Sequence, residues 1–144
     1  EDEFFKLQCK GITPIVAHPE RYRFIQSDIE ILDDWINRGY VIQVDAGSIT
    51  GVFGLKTKDV AVSMLEKNFV HIIGSDAHDV KKRNFNLKEA YDFIEQRYNV
   101  EYVAYLKKNS KRVIKGKNIK EIFLYENKKM TIFRYIVKKL INKS

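Results

Sequence analysis

The stretch "HIIGSDAHDVKKR", residues 71–83, decides how this chain is read. It ends an apolar run, sets Asp76 and His78 two positions apart, and then turns basic. A short apolar run of this kind reads as a buried strand of a parallel sheet. "FVHIIGSDAH" (69–78) is therefore expected to be one strand whose far end carries a carboxylate and an imidazole.

Working outward, "NLKEAYDFIEQRYN" (86–99) has a helical pattern, and so does "LKTKDVAVSMLEKN" (55–68), with Val60, Ala61, Met64 and Leu65 on one side. The glycines of "SITGVFG" before it suit a tight turn, and "YVIQVDAG" (40–47) reads as another strand. "SDIEILDDWINRG" (27–39) predicts a helix with Ser27 as N-cap, Glu30 completing a capping box and Gly39 as stop. "ITPIVAH" (12–18) predicts the first strand. Three successive β/α units without repeats or low-complexity linkers imply a parallel α/β arrangement, either an open sheet or part of a barrel.

On those strands the polar residues collect at one end: His18 ends the first, Asp45 the second, Asp76 and His78 the third. Parallel α/β folds keep their sites at the carboxyl ends of strands, where the loops vary and the sheet holds the side chains still. In a strand, residues two apart share a face at roughly 6–7 Å, so Asp76 and His78 are expected to converge. A carboxylate and an imidazole suit manganese, iron or zinc. Plainer readings stand beside this one. A histidine after a strand is commonly a loop residue, Asp45 equally reads as the cap of the turn before Ser48, and Arg21 and Arg83 read as surface residues. His71, mid-strand among apolar neighbours, reads as a satisfied core or helix-facing histidine.

Composition bounds the function. The 144 residues, 44% hydrophobic, amount to one domain. Cys9 is the single cysteine, which excludes an internal disulfide. It also fails as the nucleophile of a cysteine-dependent phosphatase, whose loop needs an arginine six positions later, where Ile15 stands. No run of 18 apolar residues and no basic-then-apolar amino terminus occurs, and a cytoplasmic location is expected. The net charge of +7 is unevenly spread: residues 1–106 hold 13 Lys/Arg against 17 Asp/Glu, and residues 107–144 hold 13 against 2. Basicity confined to the tail argues against a nucleic-acid-binding domain and directs any anionic partner to the last third.

Taken together, "TPIVAHPERY", "QVDAGSITGVFG" and "IIGSDAH", with Arg83 five positions beyond His78, resemble the manganese-dependent tyrosine phosphatases encoded with bacterial capsule and exopolysaccharide genes, members of the polymerase-and-histidinol-phosphatase (PHP) superfamily. The resemblance runs from about residue 7 to residue 116 and includes "NSKRVIKG" as the closing helix. It implies a distorted (β/α)7 barrel with metal ions at the carboxyl ends of its strands. His18, Asp76 and His78 are then metal ligands, with manganese the expected ion and iron, zinc, cobalt or magnesium as substitutes. Arg21 and Arg83 are then the two arginines on the substrate phosphate, where a planar guanidinium fork grips oxygens bidentately. The implied reaction is hydrolysis of a phosphotyrosine ester by a hydroxide that the metals activate, without a phosphoenzyme. The implied substrate is the tyrosine-rich tail of the capsule tyrosine kinase.

The family begins with a His-x-His strand and carries further His and Glu ligands. This chain has three histidines and no His-x-His, so residues 1–116 are expected to supply about three β/α units, the carboxyl-terminal portion of the barrel. The chain is accordingly expected to self-associate or to pair with the missing barrel half, and alone to be inactive. Residues 117–144 form a basic extension beyond the resemblance. In "TIFRYIVKKLINKS" (131–144), Ile132, Tyr135, Ile136, Leu140 and Ile141 share a helical face. Such a helix covers a barrel surface or makes peripheral contact with an anionic membrane. Two other functions fit the same residues: a small-molecule phosphomonoesterase of the histidinol-phosphatase type, and an inactive remnant that binds phosphate or the kinase.

Overall fold

A computed structural model describes residues 2–78 and 85–119. The chain starts with helix α1 (Asp2–Cys9) and strand β1 (Ile15–Ala17), followed by a 3-10 turn at Pro19–Arg21. Helices α2 (Arg23–Ser27) and α3 (Ile31–Asn37) lead to strand β2 (Val41–Asp45). Helices α4 (Ala46–Thr50) and α5 (Leu55–Glu66) precede strand β3 (Ile72–Gly74), and helices α6 (Leu87–Arg97) and α7 (Val100–Ile114) complete the order.

The three strands form one sheet in the order β1-β2-β3, parallel throughout, with Ile15 opposite Val41 and Gln43 opposite Ile72. This register sets the carboxyl ends of all three strands side by side. Val16, Ile42, Val44 and Ile73 from the sheet pack with Ile25, Leu32, Met64, Leu65, Ile94, Tyr102 and Leu106 from the helices in one buried core. Burial of such side chains contributes ~1.5–3 kcal/mol each. Among the described residues no helix is long and apolar enough to cross a membrane.

His71 is the buried core histidine expected from its neighbours. Its backbone N–H donates to the Ile42 carbonyl at 3.0 Å, and its Nδ1 accepts the Ile42 N–H at 3.1 Å. Asn109 of α7 donates to the His71 carbonyl at 3.0 Å, which ties that helix to the sheet. An imidazole nitrogen that accepts a hydrogen bond is neutral there, and burial pushes the His71 pKa down to about 4.

Two local expectations are corrected. Residues 27–39 are not one helix: Ser27 closes α2, its hydroxyl donating to the Arg23 carbonyl, and Glu30 caps α3 without a side-chain bond. The Asp28 carboxylate accepts the Glu30 N–H at 3.0 Å, and that turn competes successfully with the capping box. The third strand is also shorter than 69–78. It stops at Gly74, and Asp76 has a φ of 43°, so Asp76 and His78 sit in a loop where strand alternation does not apply. "SITGVFG" turns at Gly51 and Gly54, both at φ 91°, but its first residues belong to α4. Arg83 and residues 120–144, including the expected tail helix, lie outside the described residues.

Candidate functional site

The site is built where the strands end. His18 follows β1, and its N–H extends the ladder by donating to the Gln43 carbonyl at 2.8 Å. Its φ of 41° lies in the left-handed region, which histidine visits more readily than β-branched residues, and such conformations concentrate at functional sites. The imidazole stands edge-on to Tyr22, whose hydroxyl donates to the Ala17 carbonyl at 3.0 Å. Pro19 then begins the tight turn that carries Glu20 inward and Arg21 toward the strand ends.

Glu20 is fully buried. One carboxylate oxygen accepts the Ser48 hydroxyl at 2.6 Å and the Asp45 N–H at 3.1 Å, clamping the turn to the start of α4. Burial raises its pKa to about 7, against the opposing effect of those hydrogen bonds. Asp45 is the N-cap of α4, its Oδ1 accepting the Gly47 N–H at 2.8 Å, which bears out the turn-capping reading. Its carboxyl pKa is raised, chiefly by burial.

Arg21 links the strand ends. Its Nη1 donates to Asp76 Oδ2 at 3.1 Å and lies 3.6 Å from Asp45 Oδ2, and its Cζ lies over the Phe53 ring, 4.6 Å from the ring centre. His78 Nδ1 lies 2.6 Å from the Asp76 carbonyl oxygen, and the ring is exposed. The structure thus brings His18, Arg21, Asp45 and Asp76 to one end of the sheet with His78 beside them. Among the described residues, however, no three His, Cys, Asp or Glu side chains converge as a ready metal-binding group. Asp76 is engaged by Arg21 and His78 by a backbone carbonyl.

Single donor atoms at this end of the sheet are nevertheless left unsatisfied. His18 Nδ1, Glu20 Oε2 and Asp45 Oδ2 are buried without a hydrogen-bond partner. Buried polar atoms are rarely left so, and an ion is one thing that satisfies them. Imidazole nitrogen with carboxylate oxygen is the donor set of manganese, iron and zinc sites. Sequence reasoning missed Glu20 and Phe53: a glutamate in "HPER" reads as surface, and only the fold shows what buries it.

Comparisons with known proteins place the chain in a family. The sequence model of the family described as "Capsular polysaccharide synthesis, CpsB/CapC" matches residues 1–115. Tyrosine-protein phosphatase YwqE of Bacillus subtilis is 35% identical over 119 residues, covering 83% of this chain and 47% of that protein. Putative tyrosine-protein phosphatase CapC of Staphylococcus aureus is 38% identical, covering 81% and 46%. A solved structure from work reported as "Crystal structures of YwqE from Bacillus subtilis and CpsB from Streptococcus pneumoniae, unique metal-dependent tyrosine phosphatases" aligns with a TM-score of 0.79 at 34% identity, covering 83% of this chain and 48% of that one. The chain spans about half the length of the curated relatives it matches most extensively. In sequence and in fold, the chain belongs to the CpsB/CapC family of capsular polysaccharide synthesis.

Proposed function

We propose that this chain is the carboxyl-terminal part of a metal-dependent protein-tyrosine phosphatase of capsule synthesis, built as a portion of a (β/α)7 barrel. The observation that carries the reading is Arg21, held between the carboxylates of Asp45 and Asp76 at the strand ends, beside an unpartnered His18 nitrogen. His18, Asp76 and His78 would hold the ion, with manganese the proposed metal. When bound, the ion supplies positive charge for phosphate oxygens and lowers the pKa of water.

The chain's own residues do the rest. Arg21, turned from Asp76 to a substrate, offers two parallel N–H groups to phosphate oxygens, and Arg83 is assigned the same task. Two such forks fix phosphorus for in-line attack. Tyrosinate, with an unperturbed phenol pKa of about 10, leaves with little acid assistance. Cys9, exposed at the end of α1, is given no part in the reaction.

The proposed partner is the phosphotyrosine tail of a capsule tyrosine kinase, met in the cytoplasm, with residues 131–144 as a candidate for peripheral membrane contact. The rest of the barrel, or a second copy, would pair with the exposed strand edges. The test is turnover by the full-length protein, with manganese, on a phosphotyrosine peptide and on histidinol phosphate. The reading expects the peptide to be turned over with the higher kcat/KM. Preference for histidinol phosphate would replace it with a small-molecule phosphomonoesterase.

A further inference from the structure

The motif "AGSITGVFG" (46–54) takes no part in the chemistry assigned above, yet its phenylalanine touches the residue on which that chemistry depends. The loop after α4 reverses sharply: the Val52 N–H donates to the Gly47 carbonyl at 2.8 Å, and the Gly54 N–H to the Gly51 carbonyl at 3.1 Å. Gly51 and Gly54 bracket Phe53 at φ 91°, a conformation that L side chains rarely adopt. The turn folds the Phe53 ring back over α4, and a Cβ on Gly47 would come within 2.8 Å of the ring's Cε2. The ring is therefore seated on the Gly47 backbone. Its face carries the Arg21 guanidinium at 4.6 Å.

From this juxtaposition we infer that Phe53 is a positioning residue for Arg21, a platform that fixes the plane of the guanidinium so that its fork meets the substrate phosphate. The inference rests on the assignment of Arg21 to phosphate. The two carboxylates are point acceptors and leave the fork free to swivel about Nη1, whereas a ring face constrains the plane. The attraction also holds the guanidinium when Asp76 is engaged elsewhere, because the ring quadrupole remains. A cation–π contact is worth about 0.5–2 kcal/mol, or roughly 2- to 30-fold in an equilibrium.

Two measurements test the idea independently. In the 144-residue chain, the Arg21 Nε–Hε resonance should show the ring-current shift of an aromatic face in the wild type and in Phe53→Tyr. In Phe53→Leu it should move to the position of an unstacked arginine, with the backbone amides of the strands unchanged. In the full-length phosphatase, Phe53→Leu should raise KM for a phosphotyrosine peptide about 2- to 30-fold without loss of bound metal. Phe53→Tyr should largely rescue it, and the Phe53→Leu effect should vanish in an Arg21→Ala background. An Arg21 resonance indifferent to Phe53→Leu overturns the inference, as does an equal effect of Phe53→Leu with and without Arg21. If the wild type hydrolyses no phosphotyrosine, the functional reading fails, while the resonance still decides the role of Phe53.

Discussion

Two buried ionisable residues, His71 and Glu20, show how position, not residue type, sets behaviour. His71 accepts a backbone N–H and is pushed down to about 4, so the unfolded chain takes up a proton that the folded one refuses. Its contribution is intact above the unfolded pKa of about 6.5 and is lost as pH falls toward 4, about 3 kcal/mol when complete. Glu20 works in the opposite direction over an overlapping range, because a carboxyl raised to about 7 loses stability as pH rises from about 4.5. Whole-chain stability thus blends the two, and the readout for His71 is its own imidazole resonance, which should stay in the neutral position from pH 8 to about 5. A titration midpoint near 6.5 would show that the ring is solvated. For Glu20 the prediction is structural: Glu20→Ala strands the Ser48 hydroxyl and Asp45 N–H and should cost ~1–3 kcal/mol in urea unfolding at pH 6. Glu20→Gln, which keeps an acceptor oxygen, should cost less, and equal losses would mean that those bonds are dispensable. His71 was legible in the sequence because its neighbours are apolar. Glu20 was not, because the partners of its carboxylate, Asp45 and Ser48, arrive 25 and 28 residues later.

Among the elements, the strands and their order of polar ends were readable from short apolar runs, since parallel strands buried on both faces leave that signature. Their lengths were not: the apolar run begins at Phe69, before β3, and β3 ends at Gly74, short of Asp76 and His78. The helix at 27–39 was misread for a related reason: Ser27 and Glu30 match a capping box, but the local Asp28 turn takes the Glu30 N–H first. Strand alternation predicts that Asp76 and His78 point the same way, yet both stand in a loop. There Arg21 takes Asp76. The elements around Arg21 also predict how its loss should differ from that of a metal ligand. In the full-length enzyme, Arg21→Ala and Arg83→Ala should each lower kcat/KM while leaving metal content close to wild type, since each is assigned to substrate oxygens. Metal analysis of the purified variants checks this, and loss of bound metal in both would reverse the assignment.

At the scale of the whole molecule, β1 and β3 have no further strand paired to their outer edges among the described residues, and Ile12 and Ile15 are exposed near the first of them. An open edge favours pairing, so the 144-residue chain is predicted to sediment as an associated species at micromolar concentration. A soluble monomer would mean that the edges are covered within the chain. Metal binding should be limited for the same reason of incompleteness. His18, Asp76 and His78 do not converge beforehand, so calorimetry on this chain should detect at most one weak manganese site. Two sites of micromolar affinity would refute that expectation.

The carboxyl ends of these strands are proposed as the metal and phosphate side of a phosphatase site. The measurement that bears on it most directly is phosphate release from a phosphotyrosine peptide by the full-length protein, with manganese, for wild type, His18→Ala and Arg21→Ala. Release is expected to be abolished by a chelator and reduced by both substitutions by about 10²-fold or more, the size seen when one stabilising donor is removed from a transition state. Release that persists in chelator, or that both variants retain at the wild-type rate, would contradict it.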